Sequence, residues 1–301
     1  MHRIVIIGSG FAGLTAAKSL KGADAEITLL ARTSHHLFQP LLYQVATGIL
    51  SEGDIAPTTR EILKRQKNVK VLQALVEDID TENRIVIWRN HNDTHETPYD
   101  TLIVAAGAGQ SYFGKDEYAV FAPGLKTIDD ALELRARIFN SFEKAEIATD
   151  PHEVDKLLTF VVIGAGPTGV EMAGQIRELA SHTLNKEFRS IDPKKARILL
   201  VDGAQRPLPV FGEHLGDVTR RELESLGVEV IRSPRHRPRS RLRRVEVPRR
   251  NEQENRIRVQ GLGRRRPGER TRPGPREADR SRTRPLRTSP RRTRSQRART
   301  P

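Results

Sequence analysis

The 301 residues contain no cysteine. A thiol nucleophile, a cysteine-ligated metal and a redox-active disulfide are therefore excluded from this chain. The absence fits a reducing, cytoplasmic setting. Long hydrophobic runs are lacking as well: no uninterrupted apolar stretch approaches the ~20 residues that a membrane-spanning helix requires. Residues 232–301 hold no Phe, Tyr, Trp or Lys, and carry 9 of the 18 prolines. A segment so poor in large apolar groups cannot offset its ordering entropy, and it is expected to be disordered.

Charge divides at the same place. Residues 1–231 carry 26 Lys and Arg against 32 acids, a net charge of −6, whereas residues 232–301 carry 26 Arg against 6 acids, a net of +20. The overall +14 is thus no property of the first 231 residues. The basic segment would attract polyanions nonspecifically. It lacks the aromatic residues on which bases stack, so no specific nucleic-acid partner is expected. Arginine without lysine, mixed with Pro, Ser, Thr and Gly, is the composition of a GC-rich gene read out of frame. A loss of frame near codons 231–235 is the expectation, and the coding DNA decides it.

The start, "MHRIVIIGSGFAGLTAAKSL", has the basic opening and apolar run of a signal peptide. Three glycines at nucleotide-binding spacing inside that run argue against it. Residues 3–7 read instead as a buried parallel strand, 12–21 as a helix and 26–31 as a second strand, which together make a βαβ unit. A helix is expected at 54–66 and strands at 69–79, 84–88 and 99–106, with the polar stretch Asn90–Pro98 as a turn. An apolar stripe predicts a long helix over 127–147. A second unit follows: strand 158–163, a helix to about 185, strand 197–202, helix 215–226 and strand 228–231. The pattern predicts an α/β fold with two Rossmann-like βαβ units.

Each unit carries GxGxxG at its strand-to-helix turn. The first is Gly8-Ser9-Gly10-Phe11-Ala12-Gly13 and the second Gly164-Ala165-Gly166-Pro167-Thr168-Gly169. In such a turn the first glycine allows the tight bend, the second lets the backbone approach a pyrophosphate, and the third lets helix and strand pack closely. The helix start then offers free N–H groups and the positive end of its dipole to the phosphates. One copy could be a ligand-free turn; two copies in the same context argue for dinucleotides. At the end of the second strand, where an acid binds ribose hydroxyls, the second unit has Asp202, which favours NAD(H). Arg206, four residues later, leaves NADP open, and an exposed turn carboxylate is the plain alternative. The first unit has Ala31 and Arg32 there. His35 and His36 point different ways on a strand, and no metal site is expected.

Two such units in one chain resemble the two-domain flavoprotein disulfide-reductase architecture. The segment His36–Gly48 (HLFQPLLYQVATG), with SEGDIAPTTR, TIDDALELR and VVIGAGPTGVEMAGQI, resembles type II NADH dehydrogenases, above all actinobacterial ones. These are single-subunit NADH:quinone oxidoreductases. The resemblance covers about residues 1–231. It implies the N-terminal part of an FAD-binding domain over 1–125, an incomplete N-terminal part of an NAD(H)-binding domain over 126–231 and a disordered, out-of-frame Arg-rich tail at 232–301. FAD would be held by Gly8, Gly10, Phe11, Ala12, Gly13, Arg32, Gln39, Pro40, Leu41, Val76, Ala106 and Gly107. NAD would be held by Gly164, Gly166, Pro167, Thr168, Gly169, Glu171 and Asp202. Glu171 would assist NADH binding or a proton relay at the nicotinamide–flavin contact, although a helix-start carboxylate also simply suits the dipole. Ala105 stands where the flavin-fold ATG motif has Thr.

The resemblance further implies a membrane quinone as partner, a homodimer, and a cytoplasmic protein peripheral on the inner face of the cell membrane. Full members continue with a glycine–aspartate motif under the flavin, a quinone-site segment and a membrane-binding region. Residues 232–301 show none of these patterns, so little or no turnover is expected of the 301-residue chain. The competing reading is a non-enzymatic chain whose Arg-rich tail binds nucleic acid or anionic membrane nonspecifically.

Overall fold

The computed structural model describes residues 1–112 and 114–232. The expected tail lies outside the described residues, apart from Arg232. The first sheet is parallel, with β1 (His2–Ile7) flanked by β2 (Ala25–Ala31) and β7 (Thr101–Val104), and β3 (Val69–Gln73) on the far side of β2. In β1 the residues Ile4 to Ile7 are all buried, because both faces are covered. Strand alternation sends them to different layers. Ile4 and Ile6 meet Leu14 and Ala17 of α1 (Phe11–Ser19), while Val5 and Ile7 meet Val86, Trp88 and Tyr99 on the other side.

That other side is an antiparallel sheet of β4 (Leu75–Asp80), β5 (Ile85–Asn90) and β6 (Asp93–Pro98). Here the structure corrects the reading of Asn90–Pro98 as a turn. Asp93–Pro98 is a paired edge strand, in register from Asn90↔Asp93 to Ile85↔Pro98. Its side chains are polar because the edge and outer face meet water, while the backbone does the pairing. The Trp88 indole N–H donates to the Thr97 hydroxyl at 2.8 Å, and Trp88 stacks on His95. The expected strand 69–79 is two strands in different sheets, broken at Ala74, whose N–H donates to the Ala31 carbonyl. The expected helix 54–66 is two short ones, α3 (Glu52–Ile55) and α4 (Thr59–Leu63), with Pro57 between them.

The second unit begins at α5 (Ile128–Ile147). Thr127 and Asp130 cap its start reciprocally, which satisfies amide groups that a helix leaves unpaired. After α6 (Pro151–Leu157) come β8 (Thr159–Ile163), α7 (Pro167–Glu178), β9 (Arg197–Asp202), α8 (Glu213–Leu226) and β10 (Val228–Arg232). The expected helix to 185 ends as α at Glu178 and closes in a π turn over Leu179–Thr183. The sheet is parallel, in the order β10-β9-β8. Its core joins Ile198 and Leu200 to Met172, Ala173 and Ile176 of α7 and to Phe142 of α5. Leu42, Val45 and Ala46 of α2 (Leu42–Ala46) belong to the same cluster. The segment after β2 therefore reaches across to the second unit and carries residues 36–43 with it. Among the described residues, no helix is long and apolar enough to cross a membrane.

Candidate functional site

The two glycine-rich turns have nearly the same geometry. Gly8 and Gly164 sit at φ +104° and +102°, in the left-handed region that glycine occupies without strain. Their N–H groups donate to Leu30 and Val201 carbonyls at 2.7 and 2.8 Å. A Cβ on Gly13 would lie 1.9 Å from the Gly8 carbonyl oxygen, and one on Gly169 would lie 1.8 Å from that of Gly164. The third glycine is thus imposed by packing within the turn itself. At Gly10 and Gly166 a Cβ would meet nothing within 4 Å. These positions face open space, where a side chain would occupy the approach of a ligand. Both glycines are the N-caps of their helices, and neither helix has a side-chain cap. The first-turn N–H groups are left for an anion.

The Ala105–Ala106 backbone crosses the first turn closely enough that a Cβ on Gly8 would strike the Ala105 carbonyl oxygen. Gly107 follows with φ +74°. On the opposite side, His36 Nδ1 lies 2.8 Å from the Ser9 carbonyl oxygen, and the Ser9 hydroxyl donates to the His35 carbonyl at 3.2 Å. A carbonyl only accepts, so Nδ1 carries the proton. Phe11 stands edge-on to both His36 and Phe38, with ring centroids 5.2 and 5.4 Å apart.

A cleft of about 250 Å³ connects the two helix starts. Phe11, Gln39 and Pro40 line it from the first unit, and Pro167, Thr168 and Glu171 from the second. Sequence reasoning proposed all six. It missed three more lining residues: Tyr43, Leu125 and Lys126. Tyr43 lies inside the His36–Gly48 stretch, and Lys126 directly precedes the capping Thr127, so position along the chain was the available signal. Gln39 Nε2 donates to the Lys126 carbonyl at 3.0 Å and ties the two walls together. Glu171 is exposed at the cleft, yet the protein around its carboxyl displaces enough water to push its pKa up.

The remaining proposed residues lie elsewhere. Leu41 packs on the core of the second unit, Arg32 is exposed just past β2, and Val76 sits in β4 opposite Trp88. Asp202 ends β9. Its carboxylate accepts from the Ala165 N–H and the Ala204 N–H, both at 2.6 Å, so the acid is held against the second glycine-rich turn. It borders another cavity, of about 290 Å³, shared with Arg206, Asp217 and Arg220.

The sequence model of one family, described as pyridine nucleotide-disulphide oxidoreductase, matches residues 2–262. The chain belongs to this family. Within the family it is 62% identical over 229 residues to the type II NADH:quinone oxidoreductase Ndh of Mycobacterium tuberculosis, an alignment of 76% of this chain and 50% of that protein. It is 63% identical to NdhA of the same organism, over 76% of this chain and 49% of the relative. The chain therefore spans about half the length of the curated relatives it matches. Among solved structures, it is similar to NDH2 of Plasmodium falciparum in complex with NADH. That likeness has a TM-score of 0.71 at 26% identity, and covers 77% of this chain and 48% of that one. The family's description includes disulphide chemistry, which a chain without cysteine cannot perform through its own side chains.

Proposed function

We propose that residues 1–231 carry the FAD and NADH sites of a type II NADH:quinone oxidoreductase. One observation carries the reading: the starts of α1 and α7 open onto a single cleft lined by Phe11, Gln39, Pro40, Pro167, Thr168 and Glu171. Two dinucleotides seated on the two turns would meet there. The open space at Gly10 and Gly166 and the uncapped helix starts fit pyrophosphates at both places.

When bound, FAD supplies the hydride-accepting and electron-transferring chemistry. The chain's own part is to bind and orient. The N–H groups of the first turn would hold the FAD pyrophosphate beside Ala106 and Gly107, and those of Thr168 and Gly169 that of NADH. Asp202, already fixed by two N–H groups, keeps lone pairs for ribose hydroxyls. Phe11, Pro40 and Tyr43 wall the cleft and limit water. Glu171, with its pKa raised, is suited to hold a proton near the reacting rings at a pH where an ordinary glutamate has lost it. A quinone is the proposed final acceptor, and peripheral attachment to the inner face of the membrane the proposed location. The 62% identity to the mycobacterial enzyme supports both.

The test is to purify the 301-residue chain, reconstitute it with FAD and add NADH without oxygen. Flavin that is retained and bleached once by NADH, without sustained turnover with a quinone, is the expected result. A protein that takes up no flavin, and binds DNA only at low salt, would overturn the proposal in favour of the polyanion-binding reading.

A further inference from the structure

The loop after β9 is pinned to α8 by charge. Arg206 Nε donates to Asp217 Oδ1 at 2.7 Å, and its Nη1 donates to Glu213 Oε1 at 3.2 Å. Gly216 makes the approach possible. A Cβ there would stand 2.8 Å from the Pro207 carbonyl oxygen and 3.0 Å from Arg206 Cβ, so only glycine lets α8 press against the loop. Asp217, the next residue, is thereby delivered to the guanidinium. One turn further along α8, Arg220 donates to the Gln205 carbonyl. Arg232, at the end of β10 beside Asp202 in the strand register, lines the same cavity.

NADPH differs from NADH by a phosphate on the adenosine ribose, the group expected beside Asp202. An arginine four residues past that acid is the natural cation to receive it. Here Arg206 already has carboxylate partners, and a phosphate would have to displace one of them. Resting on the assignment of NADH to the second unit, we infer that Asp217 is a specificity-determining residue: by holding Arg206, it withholds the cation that a 2′-phosphate would need. Asp202 then repels the phosphate directly, and Asp217 with Glu213 removes the compensation. Arg220 and Arg232 also line the cavity, but Arg206 is the one whose guanidinium is held by carboxylates, so it is the cation that Asp217 controls.

The test is dinucleotide binding, read by equilibrium dialysis of NADH and NADPH against the 301-residue chain, so that no turnover is needed. The wild type favours NADH. In Asp217→Asn the ratio of NADPH to NADH dissociation constants falls about tenfold, the worth of one charge-assisted hydrogen bond. Asp217→Glu retains the wild-type ratio, and the double variant Asp217→Asn/Arg206→Met returns to it. Should Asp217→Asn fail to fold, Glu213→Gln, at an exposed partner, gives a smaller shift in the same direction. An unchanged ratio in Asp217→Asn (or in Glu213→Gln, where that stands in for it), or a shift that survives removal of Arg206, overturns the inference and leaves the NADH assignment standing. A wild type that binds neither dinucleotide overturns the assignment and the inference together.

Discussion

The imidazole Nδ1–H of His36 donates to the carbonyl oxygen of Ser9 at 2.8 Å, and both residues are buried. The Ser9 hydroxyl answers by donating to the carbonyl of His35. The first glycine-rich turn is thus stitched to the segment that supplies Gln39 and Pro40 to the cleft. Removing the ring leaves a buried carbonyl without its donor, at a cost of about 1–3 kcal/mol. We expect His36→Ala to lower the urea-unfolding free energy by that amount and to weaken FAD retention. Unchanged stability together with unchanged retention would show that the stitch is idle.

The glycines of one turn should respond differently to alanine. At Gly13 the added Cβ meets the Gly8 carbonyl, and overpacking of this kind costs about 1–3 kcal/mol or more. At Gly10 the Cβ enters open space with φ −69°, and the loss of a glycine N-cap costs at most about 1 kcal/mol. Gly10→Ala should therefore melt close to wild type yet lose FAD, whereas Gly13→Ala should lose stability first. Thermal melts paired with flavin content separate the two cases. Equal melting temperatures would contradict the packing argument.

Phe142 is fully buried on α5 and lies against Phe160 of β8 and Phe188, with ring centroids 5.2 and 6.1 Å away. Phe142→Ala should destabilise the chain by about 3–5 kcal/mol, through lost apolar contact and a cavity. Denaturant midpoints measure this. A loss below about 1 kcal/mol would mean that the site collapses around the gap.

Glu171 gives a pH signature. Its pKa is raised in the folded chain because desolvation disfavours the carboxylate. Above the ordinary glutamate value of about 4.3 the folded state therefore binds more protons than the unfolded chain. This contribution to stability is complete below that value and is lost as pH rises through the folded pKa. Glu171→Gln should lack the decline, and should gain on wild type across that window. Unfolding curves collected upward from about the ordinary glutamate value test it. Parallel stability profiles would assign the slope to other groups.

Much of the fold is legible along the chain because local rules and tertiary packing agree there. The run Ile4–Ile7 is apolar throughout, as a strand covered on both faces must be, and the GxGxxG spacings locate both helix starts. The edge strand Asp93–Pro98 was hidden, because its pairing is made by backbone atoms and its side chains are those of a loop. Ala74 hides the break between two sheets in the same way: nothing in VKVLQALVEDID announces that the chain changes partners.

By itself the sequence determined the two βαβ units, the glycines at their turns and the acid closing the second. Those features follow from strand and helix periodicity and from steric limits that act within a few residues. Only the tertiary structure decided which side chains share the cleft. Tyr43, Leu125 and Lys126 reach it because α2 and α5 pack into the core of the second unit. Only the tertiary structure, too, showed Arg206 held by Asp217, a pairing across eleven positions that depends on the missing Cβ of Gly216. Contacts of this kind depend on how separate elements pack in three dimensions, and neither spacing nor composition records that.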